Sequence, residues 1–337
     1  MKAGEQRIPT IDLFRYVCGV LVIAIHTRPM EEISQNLGYI TSDVLPRIAV
    51  PFFFAVSGFF YFQNLMSGKK PFRRTFSRLL LTYTVWSCLY YFIDFIQWGH
   101  ENLRGFLSNC LLGFLTYGSY YHFWFFPALL FSLFLSELLW KLKARRALVP
   151  MSILLYLIGC MGCSYYNICR SIPILGALFS YSGFETIRRI LLMGFPFFVS
   201  GYLILQVKDR LAKRILRVWT GSMIAWILEI ALVVHMHLQR SIVLTAALYS
   251  LVVSTIILLL RTKAEKLSPY SETSRRLANY TYYVHPVFIL VLSSAYHTVL
   301  GEVIPNTMLF LMTVLGTFLS GTFLIRMKYP FIQNLIS

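Results

Sequence analysis

Charge is what this sequence has least of: charged residues make up 13% of its 337 positions, and Asp and Glu together number 14. Soluble globular domains carry roughly 25%. A water-soluble fold is therefore excluded. No Gly/Ser-rich or low-complexity stretch marks a linker, so residues 1–337 read as a single transmembrane domain. Metal-binding patterns are missing too. Cys160 and Cys163 form a CxxC with no second CxxC and no neighbouring His, and His235 and His237 lack a third ligand, so no metal is expected. Nor does a cleavable secretory signal open the chain. Its first apolar run is full length and holds Asp12 and Arg15.

What fills the sequence is apolar surface. Hydrophobic residues account for 57% and aromatics for 16%, and the mean hydropathy is +0.64. Apolar runs of about 17–25 residues, the length that crosses a bilayer, fall near 9–27, 44–65, 79–98, 122–140, 147–165, 190–207, 218–236, 242–260, 278–298 and 307–325. The expected fold is an all-α polytopic membrane bundle of about ten transmembrane helices. The net charge of +17 is gathered in short loops, KKPFRRTFSR, KLKARR, KDRLAKRILR and RTKAEK, that alternate along the chain. Under the positive-inside rule those loops and both termini are cytoplasmic. The basic charge thus has the bilayer as its partner and predicts no nucleic acid. The expected location is the cell membrane, multi-pass.

Within the first span, IDLFRYVCGVLVIAIH keeps Asp12, Arg15 and His26. At about 100° and about 1.5 Å per residue, Arg15 and His26 lie within roughly 20° of each other around the helix and some 16 Å apart along it. An ionisable residue inside a span marks a functional site by default. Asp12, one turn from Arg15, orients and partly neutralises the guanidinium. A purely structural pair reads equally well from these two residues alone. A His on the same face adds a group whose ordinary pKa of about 6.5 suits proton transfer.

Other polar positions carry two readings each. Arg73, Arg74 and Arg78 either grip phosphates as guanidinium forks or simply set topology. Ser57 and Gly58 make a small-residue notch that serves helix packing or room for a thin ligand arm. Tyr121, His122 and Trp124 open the fourth span at an interface where aromatic belts are ordinary. Arg188 opens the sixth and either meets an acceptor or snorkels. Tyr282 and His285 sit beside Pro286, which loosens a helix in mid-membrane, and serve either a site or helix-to-helix bonding. Asp94, Glu137 and Glu229 read as interhelical contacts.

The wording of these segments resembles a known family. Arg15 followed by His26, then VPFFFAVSGFFYF, KKPFRRTFSRLL, YYHFWFFPALL, RRILLMGFPFFVSGY and LANYTYYVHPVFI are similar to the acyltransferase family 3 membrane proteins, from about residue 8 to about 328. Within that family the YHFWFFPALL and VPFFF wording is shared with the membrane domain of the serine racemases of vancomycin-resistance operons. The resemblance implies a membrane-bound enzyme that moves an acyl group, usually acetyl from cytosolic acetyl-CoA, onto a hydroxyl or amine of a cell-surface glycan or small-molecule acceptor in the cell envelope. It implies His26 as general base and Arg15, held by Asp12, as electrostatic partner of the donor or the reacting carbonyl. It favours coenzyme A binding for Arg74 and Arg78, with Arg73 and Ser57 beside them. It favours acceptor binding for Trp124, His122, Tyr121, Arg188, Tyr282 and His285. Where family members space two arginines by two residues, three residues separate Arg74 from Arg78 here. A transporter of a small amino acid such as serine, or an assembly scaffold, is the competing expectation, and a homodimer is left open.

Overall fold

The computed structural model describes residues 8–99 and 103–327, and among these every regular element is helical. In chain order the α-helices are α1 (Pro9–Thr27), α2 (Gln35–Tyr39), α3 (Ala49–Met66), α4 (Phe72–Asp94), α5 (Leu103–Leu115), α6 (Phe125–Lys141), α7 (Leu148–Gly162) and α8 (Tyr166–Cys169). They continue as α9 (Pro173–Ser180), α10 (Phe184–Ile187), α11 (Phe195–Leu211), α12 (Ile215–His235), α13 (Ala246–Arg261), α14 (Ser268–Leu300) and α15 (Asn306–Arg326). By length and composition, seven helical segments among the described residues are long and apolar enough to cross a membrane, and α5 and α13 are shorter apolar helices.

Each expected span falls on a helix, with three differences. α4 begins at Phe72, so Arg73, Arg74 and Arg78 ride on its first two turns instead of in a loop. α14 begins at Ser268, where Pro269 supplies a helix-compatible φ and lacks only an N–H that the first turn does not need. Residues 99–121, expected as a connection, hold α5.

The chain divides into two compact units, one of Met1–Phe53 with Ile256–Ser337 and one of Phe54–Thr255. In the first, α1 lies along α14, and α15 lies along α14 in turn. Gly321 makes that second packing close, because a Cβ there would sit 2.8 Å from both Leu277 and Tyr280 side chains. The Tyr280 hydroxyl is 3.1 Å from Ser320 Oγ across the same seam. α1 ends where Arg28 takes a left-handed φ of 51° and its N–H bonds the Ala24 carbonyl.

In the second unit the tightest crossing is between α3 and α11. A Cβ on Gly58 would lie 1.8 Å from the Phe198 carbonyl oxygen, and one on Gly201 would lie 2.1 Å from the Phe59 nitrogen. Two glycines therefore let two backbones touch, which is how helices associate where lipid removes most of the hydrophobic drive. The notch at Gly58 is filled by the α11 backbone. Around it Phe59, Phe62, Phe197 and Phe198 are buried, and the Tyr61 hydroxyl donates to Glu137 of α6 at 2.5 Å. Glu229 of α12 accepts from the Tyr165 hydroxyl at 2.6 Å and from the Ala246 and Ala247 N–H groups at the start of α13. Both glutamates act as interhelical contacts, as expected.

Gly58→Ala should therefore destabilise the protein at or beyond the top of the ~1–3 kcal/mol range of overpacked cores. Gly221→Ala, where nothing lies within 4 Å, should be neutral. Thermal unfolding of the two variants in detergent checks this, and equal midpoints would refute the backbone crossing.

Candidate functional site

The functional side chains of the first unit are set by one helix pair. An offset of 259 residues pairs Asp12 with Ser271, Gly19 with Ala278 and His26 with His285. A constant offset means that α1 and α14 run parallel and in register. The heptad spacing of the three positions keeps them on one seam, as in a parallel coiled coil. From the Asp12 level to the His26 level is about 21 Å at ~1.5 Å per residue.

At the first level Asp12 is 4% exposed. Its Oδ2 accepts from Ser271 Oγ at 2.5 Å and its Oδ1 accepts from Arg15 Nη1 at 3.3 Å. Both carboxylate oxygens are engaged. Asp12 thus holds Arg15 and ties α1 to α14; Thr10, donating to the Leu259 carbonyl at 2.7 Å, adds a second tie nearby. The Arg15 side chain keeps 18% of its surface exposed, so its guanidinium is oriented without being sealed in. A planar cation held this way stabilises an oxyanion or a carboxylate.

At the second level the imidazoles of His26 and His285 stack, with ring centroids 5.3 Å apart and planes 21° apart. His285 is 0% exposed, whereas His26 is half-buried. His285 Nδ1 lies 3.0 Å from the carbonyl oxygens of both Thr281 and Tyr282. Carbonyls only accept, so Nδ1 carries the hydrogen and the Nε2 of the neutral ring keeps its lone pair. Pro286 is the reason for this geometry: it removes the helical N–H that Tyr282's carbonyl would otherwise receive. The Tyr282 ring lies 6.4 Å from that of His285, so the two expected residues of α14 join His26 at one level.

The segment after α1 is tied down by ion pairs and hydrogen bonds. Arg28 bonds Glu31 at 2.7 Å and Asp43 at 3.1 Å, and Asp43 also meets Arg47 at 2.6 Å. The Thr307 N–H donates to Glu32 at 2.8 Å, and hydrogen bonds from Thr307 hold the Glu32 carboxyl below its ordinary value.

The remaining expected residues lie in the second unit, in two groups. Arg73, Arg74 and Arg78 are exposed on the opening turns of α4, and Lys141 Nζ is 5.8 Å from the Phe72 ring beside them. Exposed cations of this density fit a polyphosphate. Ser57 is half-buried next to the Gly58 crossing. The other group is aromatic. His122, 3% exposed, is boxed by Tyr90, Tyr121 and Phe123 with centroids 5.1, 5.5 and 4.0 Å away. Trp124 receives the guanidinium of Arg189 at 5.4 Å, while its neighbour Arg188 donates to Glu185 at 2.5 Å. Arg188 and Arg189 open a π-helical stretch, Arg188–Gly194, a widened turn of the kind frequent at functional sites.

Ser271 and Arg189 carry no expected role in the sequence. Ser271 was reachable through Pro269, which signals a helix starting ahead of the apolar run. Arg189 follows Arg188 directly, and only the cation–π geometry separates their roles. Among the described residues no group of three or more His, Cys, Asp or Glu is placed to hold a metal ion.

Comparison with known proteins follows the same outline. Residues 8–326 match the family model described as an acyltransferase domain. Two Enterococcus faecalis proteins named amino-acid racemase are similar: one is 31% identical over 182 residues, covering 52% of this chain and 26% of the relative. The other is 30% identical over 210 residues, 60% of this chain and 29% of the relative. A serine/alanine racemase of Enterococcus gallinarum is 31% identical over 172 residues, 49% of this chain and 24% of the relative. The chain thus matches less than a third of the length of these curated relatives. It matches no solved structure.

Proposed function

From the premise that this chain belongs to the acyltransferase 3 family, we propose that it is a membrane enzyme transferring an acyl group, acetyl from cytosolic acetyl-CoA, to a hydroxyl or amine of a cell-envelope acceptor. The observation that carries this reading is the α1–α14 seam, which holds an oriented guanidinium at one level and a histidine pair at another. His26 is the general base on the acceptor, and Arg15, held by Asp12, is the electrostatic partner of the acyl donor. Arg73, Arg74 and Arg78 take the phosphates of coenzyme A, with Ser57 near its thin arm. Trp124, His122, Tyr121, Arg188, Tyr282 and His285 bind the acceptor, a glycan or small molecule. Acyl transfer is the chemistry that coenzyme A supplies when bound.

In this reading ten helices cross the cell membrane and both termini are cytoplasmic, with Arg15 towards the donor side and His26 towards the outside. A reporter fused after Arg146 should read cytoplasmic, and one fused near Gly301 external. An external signal at Arg146 would overturn the orientation.

Charge reversal at Arg78 should weaken acetyl-CoA binding at least tenfold, whereas Lys143→Glu, also in a basic connection, should change it little. Equal small effects in isothermal titration would reduce the arginines to topology signals.

A second reading has its own support. The relatives' names, amino-acid racemase and serine/alanine racemase, favour a carrier of a small amino acid such as serine. The two readings part on the seam. For an acyltransferase, Arg15→Ala and His26→Ala should each abolish most acetyl-CoA turnover, with the double variant little worse than either, because loss of the donor partner or of the base stops the same transfer. Arg15→Lys should not rescue, since a point charge does not replace a planar fork. Each variant must match the parent in expression and monodispersity. Serine uptake by proteoliposomes with no acyl donor, alongside undisturbed turnover in His26→Ala, would replace the enzyme with the carrier.

A further inference from the structure

The stacked pair at the second level of the seam is built asymmetrically. His285 is sealed, its Nδ1–H committed to the Thr281 and Tyr282 carbonyls; His26 is half-buried, its ring laid on that of His285 at 5.3 Å. A sealed ring does not meet an acceptor arriving from outside. A half-buried one does. Both rings protonated would set two cations about 5 Å apart in a medium of low effective dielectric, a repulsion that leaves the pair room for one proton.

We propose that His285 is a positioning residue for the acyl transfer: a neutral imidazole, its hydrogen fixed on Nδ1 by the Thr281 and Tyr282 carbonyls, against whose face His26 is held in one plane as the base of the pair. The inference rests on the acyl-transfer reading and goes beyond it, because it moves His285 from acceptor binding to the support of His26. In the step it serves, the acceptor oxygen forms a bond to the carbonyl carbon of the acyl thioester while its proton passes to His26. The carbon–sulfur bond then breaks, and His26 returns the proton to the departing thiolate. The products are the acylated acceptor and the free thiol. His285 exchanges no proton. Its neutral π face lies against the imidazolium that forms on His26, where a cation is favoured.

Two substitutions separate this from a structural role. Asn at 285 keeps an N–H donor on the atom that follows Cβ and Cγ, so it can still bond the carbonyls, but it has no ring. Phe keeps a ring and has no donor. The reaction read is hydrolysis of acetyl-CoA by the purified full chain in detergent. Expected are a fall in kcat of about 100-fold for His285→Asn with KM for acetyl-CoA unchanged, and retention of at least a tenth of kcat in His285→Phe. If His285 only anchors α14, the order reverses, with Asn near wild type and Phe impaired, and the proposal is overturned.

Should His285→Phe fail to fold, the cycle with His26 decides. Adding His285→Asn to His26→Ala should cost nothing further, because a positioning residue acts only through the base it positions; an undiminished additional loss overturns the proposal. Nitrogen NMR of histidine-labelled protein, with His285→Asn for assignment, should find the hydrogen on Nδ1 of His285, and a hydrogen on Nε2 instead would also overturn it. Wild type without any turnover would sink the acyl-transfer reading and this role with it, whereas active wild type with an undisturbed His285→Asn removes the role alone.

Discussion

The register of α1 against α14 is the constraint on which the functional geometry depends. Slipping one helix by a single residue would rotate its side chains by about 100° and shift them by about 1.5 Å, which parts Ser271 from Asp12 and His285 from His26 together. The middle of the seam does not prevent this. A Cβ on Gly19 would meet the Ala278 carbonyl at 3.6 Å, an ordinary contact that a neighbouring register would also supply. The two polar ends do prevent it, because only one alignment pairs a hydroxyl with the carboxylate and a ring with a ring. Specificity of this kind, set by a few polar seam positions among apolar ones, is the best-attested use of buried polar groups.

Comparison among the acids that face neighbouring helices shows what each contacts. Glu137 is met by a tyrosine hydroxyl of α3 and Glu229 by that of Tyr165, between α7 and α8, and by two backbone N–H groups at the start of α13, where the helix dipole favours negative charge. They close helix contacts. Asp12 is equally committed, to Ser271 and Arg15. Its effect is on the guanidinium. A lone Arg at the centre of a span costs on the order of 3 kcal/mol on insertion scales, and the adjacent carboxylate offsets part of that while fixing which way the fork points.

Much of this was legible in the sequence, and the rest was hidden for identifiable reasons. Hydropathy placed α1 at 9–27 and put Asp12 and Arg15 on adjacent turns, because both are local properties of one apolar run. It started the ninth span at 278, since SPYSETSRR is too polar to read as membrane, although α14 already begins at Ser268. Those ten residues contain Ser271, the partner of Asp12. The pairing of His26 with His285 was invisible for a different reason: each histidine was suspect alone, but no local period encodes an offset of 259 residues. The small-residue notch at Gly58 was readable as packing, yet its mate Gly201 declares itself only when the two backbones cross. α5 escaped because Leu103–Leu115 is too short to register as a span.

Pro286 carries the last step. Proline inside a helix removes a hydrogen bond and crowds the preceding carbonyls, at a cost of about 3 kcal/mol or more in an exposed helix, and in a membrane the lost bond has no water to replace it. α14 nevertheless keeps Pro286 in its interior. Supplying the donor from the side chain of the residue just before it, His285 Nδ1–H to the Tyr282 carbonyl, repairs the backbone and fixes the imidazole in one act. A residue with an N–H at 286 would restore the helical bond and compete with His285 for that carbonyl. The dipeptide His285–Pro286 is therefore a single device: the proline creates the acceptor that holds the histidine, and the histidine supplies the donor that makes the proline tolerable.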